Sequence, residues 1–305
     1  MANLTTNLGK LVLTNPVMTA SGTFGYGEEY AKFYPLKQLG AVVVKGISPF
    51  QCHGNPMPRI CETSSGMLNA IGLQNPGVDN FINKPEYLPF LRKAGAVVIV
   101  NIWGKSVEDY CAVAEKLDGV EGIAALEINI SCPNIKEGGI AFGTDPVLAA
   151  KVVSSVRKKT KLPVITKLSP NVTKVSEFAK IVVGEGADMI SLINTYPGMA
   201  IDIETRKSRI ANITGGLSGP AIKPIAIKMV YETANAVDVP IIGMGGIFTT
   251  ADAIEFFLAG ADAVAIGTAN FIDPMTPIKI ISGINEYLDS HGYSGIKELV
   301  GNLAI

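Results

Sequence analysis

The chain has 305 residues, of which 48% are hydrophobic, and its 26 basic and 27 acidic residues leave a net charge of -1. This balance gives no electrostatic basis for binding nucleic acid or an anionic membrane surface, and the length suits one large core better than two unrelated domains. We therefore expect a single domain over residues 1–305 that acts on a small molecule.

The N-terminal residues and the cysteines indicate a cytoplasmic protein. The first residues, MANLTTNLGKLVLTNP, lack the basic start and the long apolar core of a signal peptide. The cysteines at positions 52, 61, 111 and 132 form neither a CxxC pair nor a zinc-ligand spacing. We expect free thiols, no bound metal and a reducing compartment.

Short apolar runs rich in β-branched residues recur along the chain and alternate with helix-like segments. Near-continuous apolar strands are typical of a parallel sheet, and eight of them with interleaved helices predict a (β/α)8 TIM barrel. A doubly wound open sheet is the alternative. The eight runs cover 16–20, 41–44, 96–100, 123–130, 163–166, 189–193, 239–242 and 263–266. Apolar residues at three- and four-residue intervals predict helices over 106–117, 146–159, 176–185, 221–236 and 251–259.

Two segments are too long to be simple barrel connections. Residues 48–91 and 195–219 are predicted to be insertions that fold over the carboxyl-terminal mouth of the barrel. The second contains a predicted hairpin with a charged tip at 204–208. Residues 3–13 predict an N-terminal hairpin that closes the bottom of the barrel.

Amides, lysines and glycines occur at the ends of the predicted strands. Because the carboxyl ends of barrel strands ring one mouth, we expect these residues to line one cavity. The glycines at 243–246 and the stretch 266–269, after the last two strands, indicate a site for a phosphorylated ligand. Asparagine both donates and accepts, which suits a planar heterocycle such as a pyrimidine or an isoalloxazine. The residues are Ser21, Gly22, Lys45, Gly46, Asn101, Asn129, Lys167, Asn194, Gly245, Gly246, Gly267 and Thr268.

Cys132 follows the fourth predicted strand and precedes a glycine-rich stretch, within EINISCPNIKEGGIAFG at 127–143. An unpaired cysteine is often only a small buried residue, so the position alone leaves a structural and a catalytic interpretation open. His53 and His291 lie away from the strand ends, which argues against an imidazole base. Glu127 precedes its strand end by two residues and is expected to face the barrel interior.

The residues resemble the dihydroorotate dehydrogenase family over nearly the whole chain. The resemblance implies a (β/α)8 barrel that holds FMN at its mouth and oxidises (S)-dihydroorotate to orotate in pyrimidine (UMP) biosynthesis. A different FMN- or phosphate-binding barrel oxidoreductase and a non-catalytic binding module are the alternatives. The motifs that carry the resemblance are NAIGLQNPG at 69–77, NISCPN at 129–134, TKLSPN at 166–171, NT at 194–195, GGLSGPAIKP at 215–224 and GMGGI at 243–247.

The resemblance also implies roles for individual residues. Cys132 would be the catalytic base that takes a proton from the substrate while a hydride passes to the flavin. FMN would contact Ser21, Lys45, Gly46, Asn101, Asn129, Lys167, Ile193, Gly219, Gly245, Gly246, Gly267 and Thr268. Dihydroorotate would contact Lys45, Asn69, Ala70, Ile71, Gly72, Leu73, Asn129, Asn134, Asn194 and Thr195.

Cys132 and the loop after it indicate the subclass. Quinone-linked members carry an N-terminal membrane segment and use a serine as the base. At the position of that serine this sequence has Cys132. The loop at 135–143 resembles that of the NAD-linked class 1B, in which two catalytic chains assemble with two electron-transfer chains that carry FAD and a [2Fe-2S] cluster. The sequence has no dinucleotide fingerprint of its own, so such a partner is expected to pass the electrons to NAD. The fumarate-linked class 1A is the alternative.

Overall fold

A computed structural model describes residues 2–131 and 142–304. The strands are β1 (Thr6–Leu8), β2 (Leu11–Leu13), β3 (Val17–Thr19), β4 (Val42–Val43), β5 (Ile60–Thr63), β6 (Gly66–Asn69), β7 (Val98–Ile102), β8 (Ile123–Asn129), β9 (Val164–Lys167), β10 (Met189–Leu192), β11 (Tyr196–Met199), β12 (Ile201–Asp202), β13 (Lys207–Ser208), β14 (Thr214–Ser218), β15 (Ile241–Met244) and β16 (Ala263–Ile266). The helices are α1 (Val78–Asn83), α2 (Leu88–Lys93), α3 (Val107–Leu117), α4 (Pro146–Arg157), α5 (Val175–Gly184), α6 (Lys223–Ala234), α7 (Thr250–Leu258), α8 (Ala269–Ile272) and α9 (Thr276–His291).

Eight strands form a parallel sheet in the order β3, β16, β15, β10, β9, β8, β7 and β4. A parallel bridge between Met18 and Ala41 joins the two ends of this sheet, so it closes into a barrel. The strands are buried on both faces because side chains fill the barrel and helices cover it, which is why the sequence shows runs rather than alternation. The prediction of a (β/α)8 TIM barrel is confirmed.

The seam between β3 and β4 depends on side-chain hydroxyls as well as backbone. Thr19 N–H donates to Ala41 O at 3.3 Å, and the Thr19 hydroxyl accepts from Val43 N–H at 3.0 Å. Two residues later, the Ser21 hydroxyl donates to Val44 O at 2.8 Å. The seam therefore continues up to the mouth of the barrel, at Ser21 and Lys45.

Two hydrophobic layers hold the barrel. The outer layer packs the helices against the outward faces of the strands, and α3, α4 and α7 begin at side-chain caps. The inner layer includes Leu8, Leu11 and Leu13 together with inward residues such as Met18 and Met189. Strands β1 and β2 pair antiparallel, and because their leucines pack against the inward residues, the predicted N-terminal hairpin closes the bottom of the barrel.

The long insertions form a second sheet. Its four antiparallel strands run in the order β11, β14, β6 and β5, and a separate hairpin of β12 and β13 carries the predicted charged tip. Helices α1 and α2 belong to the first insertion. None of the helices within the described residues has an apolar stretch long enough to cross a lipid bilayer.

Some predicted boundaries differ from the structure. Strand β7 begins two residues later than predicted and includes Asn101, and β15 includes Gly243 and Met244. Pro240 delays the start of β15, because proline cannot donate to the strand ladder. Helix α9 has no counterpart among the predicted helices, although Ile280, Ile284 and Leu288 recur every four residues on its buried face.

Candidate active site

A cavity of about 1080 Å³ opens at the carboxyl ends of the barrel strands. Single small-molecule sites usually measure roughly 300–1,000 Å³, so this cavity has room for a cofactor and a small substrate together. All the residues predicted to bind a cofactor line it, namely Ser21, Lys45, Gly46, Asn101, Asn129, Lys167, Ile193, Gly219, Gly245, Gly246, Gly267 and Thr268.

Most of the residues predicted for a substrate line the same cavity. Besides Lys45 and Asn129, they are Asn69, Ile71, Gly72, Leu73, Asn194 and Thr195. Ala70 does not line it: this residue is 1% exposed and packs with Leu68 and Ile210 within the antiparallel sheet. Cys132 and Asn134 lie outside the described residues, as does most of the predicted loop at 135–143.

The floor of the cavity contains a buried polar network from four neighbouring strands. Asn101 Nδ2 donates to Glu127 Oε2 at 2.5 Å, and the Ser191 hydroxyl donates to Glu127 Oε1 at 2.7 Å. Lys167 Nζ lies 4.0 Å from Glu127 Oε2. The prediction that Glu127 faces the barrel interior is confirmed, since it contacts Asn101 and Lys167, which line the cavity at the mouth.

Asn101 presents an acceptor to the cavity. Among the described residues its Oδ1 is buried and has no hydrogen-bond partner. A Cβ at Gly46 would lie 2.7 Å from this oxygen, so Gly46 leaves open the space beside it. A buried amide oxygen without a partner is costly, and a ligand N–H donor would satisfy it.

A second amide pair lies on the adjacent wall. Asn194 Nδ2 donates to Asn129 Oδ1 at 3.3 Å, and Asn194 Oδ1 accepts from Thr195 N–H at 2.7 Å. The backbone of Asn129 is fixed in turn, because its carbonyl accepts from the Tyr110 hydroxyl at 2.8 Å. These side chains leave amide donors and acceptors at a rigid strand end.

Glycines and a pair of hydroxyls bring three chain segments together at one end of the cavity. Gly219, Gly245 and Gly246 have φ values of +102°, +126° and +77°, which favour glycine. A Cβ at Gly246 would lie 2.9 Å from Gly219 O and 2.7 Å from Lys223 Cβ. The Thr268 hydroxyl donates to Ser218 Oγ at 2.7 Å beside them. Backbone N–H groups of closely packed glycines at the edge of a cavity are suited to a phosphate.

Several lining residues were not predicted. The β5–β6 hairpin contributes Glu62 to Met67, and the mouth also includes Phe248, Phe271 and Ile272. The hairpin had a sequence signal, a Ser-Ser-Gly turn between two four-residue runs. Gly66 fits there because a Cβ would lie 2.0 Å from Ser218 O, so the turn packs directly on β14.

The sequence predicts free thiols and no bound metal. Cys52, Cys61 and Cys111 are free, and burial raises the pKa of the Cys111 thiol. Within residues 2–131 and 142–304, no group of three His, Cys, Asp or Glu side chains is placed to hold a metal ion.

Known proteins are similar to this chain over nearly its whole length. The family model described as Dihydroorotate dehydrogenase matches residues 3–288. A protein of Alkaliphilus metalliredigens is 57% identical over 99% of both chains, and one of Geotalea uraniireducens is 56% identical over 99% of this chain and 98% of its own. A protein of Geobacter sulfurreducens is 53% identical over 99% of both chains. All three are named "Dihydroorotate dehydrogenase B (NAD(+)), catalytic subunit". With this cavity at the mouth of a (β/α)8 barrel, and with a family match over 3–288, the chain belongs to the dihydroorotate dehydrogenase family.

Proposed function

We propose that this chain is the FMN-dependent catalytic subunit of an NAD-linked dihydroorotate dehydrogenase, which oxidises (S)-dihydroorotate to orotate in de novo pyrimidine biosynthesis. The observation that carries the proposal is the cavity itself. It gathers the twelve residues expected for FMN and most of those expected for dihydroorotate, from segments between positions 21 and 268. The names of the full-length relatives support the same activity and the same subclass.

FMN fits the donors and acceptors of this cavity. The ring of FMN has an N–H donor between two carbonyl groups, which matches the buried Asn101 Oδ1 between polar neighbours. The glycine-rich end with Gly219, Gly245, Gly246 and Thr268 would take the phosphate. When bound, FMN supplies a two-electron acceptor for the hydride of the substrate.

The amide wall is suited to the substrate. Dihydroorotate has alternating N–H and C=O groups and one carboxylate. Asn69, Asn129 and Asn194 can donate and accept at once, and the ammonium of Lys45 offers positive charge for a carboxylate. Tyr110 fixes the backbone of Asn129, and the Asn129 and Asn194 side chains hold each other in place, so the substrate ring would meet preorganised partners.

The position of Cys132 in the chain supports its proposed role as base. The preceding residue, Ser131, is anchored at the floor of the cavity, where its hydroxyl donates to Lys167 O at 2.9 Å and its N–H donates to Asn129 Oδ1 at 3.3 Å. Ser131, the residue before Cys132 in the sequence, therefore lies beside the proposed FMN and substrate residues. A free thiol has a pKa of about 8.5, so we expect faster proton abstraction at mildly alkaline pH.

The electrons must then leave through another chain. The sequence has no dinucleotide fingerprint, and with Cys132 committed to catalysis the other three cysteines are too few for the usual four-thiolate cluster ligation. We propose a partner subunit with FAD and a [2Fe-2S] cluster, two copies of which assemble with two catalytic chains into a heterotetramer that reduces NAD.

Two broader proposals accompany this one. Residues 1–305 would form a single FMN-binding domain, because the insertions at the mouth and the barrel strands line one cavity. The enzyme would act in the cytoplasm, since the free thiols of Cys52, Cys61 and Cys111 suit a reducing compartment.

A pair of glycine variants tests the cofactor site. Gly246→Ala introduces a Cβ 2.7 Å from Lys223 Cβ at positive φ, whereas Gly9→Ala introduces one at a similar φ of +71° with nothing within 4 Å. Both substitutions strain the backbone, and only the Gly246 Cβ also presses on chain that lines the cavity, at Gly219 O. We expect the Gly246 variant to lose FMN and dihydroorotate oxidation with an artificial acceptor, and the Gly9 variant to keep both. Equal FMN content and activity in the two variants would contradict the proposed site.

A further inference from the structure

Glu127 is a buried carboxylate for which the proposed reaction has no direct use. Its side chain is 2% exposed, and it lies beneath the residues that line the cavity. Two of its neighbours, Asn101 and Lys167, do line the cavity. Glu127 can therefore influence a bound ligand only through these neighbours or through its charge.

The carboxylate fixes the orientation of the Asn101 amide. An ionised carboxylate only accepts hydrogen bonds, so the Asn101 atom at 2.5 Å must be the amide nitrogen. The amide oxygen is then directed to the side of Gly46 as an acceptor. Without the carboxylate, the amide could turn its donor toward the cavity instead.

The carboxylate also offsets the charge of Lys167. The two side chains are 2% and 6% exposed, and their charged atoms are 4.0 Å apart. Water and salt screen charges weakly at this depth, so each charge acts on its surroundings with little attenuation. A ligand above Lys167 experiences the lysine together with the carboxylate below it.

We propose that Glu127 is a positioning residue that holds Asn101 as an acceptor and Lys167 as a partly neutralised cation, and thereby lowers the reduction potential of the bound flavin. This inference rests on the proposed FMN site. Transfer of a hydride adds two electrons and one proton to the ring, so the ring gains one negative charge. A negative carboxylate buried next to the proposed FMN residues Asn101 and Lys167 would disfavour that charge.

Glu127→Gln tests the role of the charge with little change of shape. The amide oxygen of Gln can still accept from Asn101, and its nitrogen can donate to Ser191 Oγ, because a hydroxyl also accepts. We expect the variant to bind FMN. We also expect its equilibrium between oxidised and reduced FMN to shift at least tenfold toward the reduced form, relative to wild type. For this two-electron couple, that is an upward shift of about 30 mV in the midpoint potential.

Ser191→Ala is the matched control, because it removes one hydrogen bond from the same carboxylate and keeps both charges. A structural role for Glu127 would shift the potential equally in both variants, whereas the inference predicts less than half the shift in Ser191→Ala. Equal shifts, or no rise in Glu127→Gln, would overturn the inference.

A second pair of variants covers the case in which Glu127→Gln leaves Lys167 unpaired and does not fold. Lys167→Met and Lys167→Met/Glu127→Gln differ by the same carboxylate, and the double variant has no buried charge left at this pair. We expect the double variant to have the higher potential, and an equal or lower one would overturn the inference. FMN content is measured first: a wild-type chain that takes up no FMN contradicts the proposed function, whereas FMN-loaded variants with unchanged potentials contradict only the role of Glu127.

Discussion

Thr19→Val should destabilise the barrel at the seam between β3 and β4. The N–H groups of Val42 and Val44 bond to the carbonyls of Val97 and Ile99, on the side of β7. The N–H of Val43 therefore points toward β3, where the Thr19 hydroxyl accepts it at 3.0 Å. Thr19 is fully buried, and valine keeps its shape but removes the acceptor. A buried N–H left without a partner costs about 1–3 kcal/mol, so we expect the free energy of unfolding to fall by that amount.

Thermal unfolding of the FMN-saturated protein measures this effect. At about 2–4 °C for each kcal/mol, the melting temperature should fall by several degrees. Thr166→Val is the matched control, because Thr166 is also fully buried in a barrel strand but its hydroxyl has no partner among the described residues. The control should lose no stability. An equal fall in both variants, or none in Thr19→Val, would refute the proposed role of the hydroxyl at the seam.

Three further predictions concern catalysis, electron transfer and pH. Cys132→Ala should keep its FMN and lose about 10²- to 10⁴-fold in the rate of flavin reduction by dihydroorotate, measured by anaerobic stopped flow; near-normal reduction would exclude the thiol as base. The purified chain should pass electrons from dihydroorotate to artificial acceptors and not to NAD, with NAD reduction restored by the partner; efficient use of fumarate by the chain alone would assign it to class 1A. Burial raises the pKa of Asp262, so wild type should lose stability as the pH rises from the unfolded value of about 3.9 through the folded pKa. Asp262→Asn keeps an acceptor for Ile241 N–H and should lack this loss in urea unfolding at a series of pH values.

The sequence predicted most of the barrel because its strands are buried on both faces. Continuous apolar runs identified all eight strands within a few residues, and the polar and glycine residues at the end of each run marked the mouth. Glu127 lies two residues before Asn129, and side chains alternate between the two faces of a strand. This spacing alone predicted that Glu127 faces the barrel interior, where it bonds to Asn101.

Contacts between distant segments could not be predicted in the same way. The packing of Gly66 on Ser218 joins two insertions about 150 residues apart, and neither segment indicates the other in its sequence. Ala70 lies within a motif that resembles the family's substrate loop, yet its small apolar side chain packs into a separate cluster. Which member of a motif faces a ligand depends on the turn geometry of that loop.

Anaerobic titration of the FMN-loaded chain with (S)-dihydroorotate tests the central claim most directly. The flavin absorbance bands and the orotate formed are measured in the same sample, without any partner subunit. We predict that the flavin is fully bleached and that one orotate appears for each FMN reduced. A chain that holds FMN but remains oxidised in excess dihydroorotate, or that bleaches without forming orotate, would contradict the proposed function.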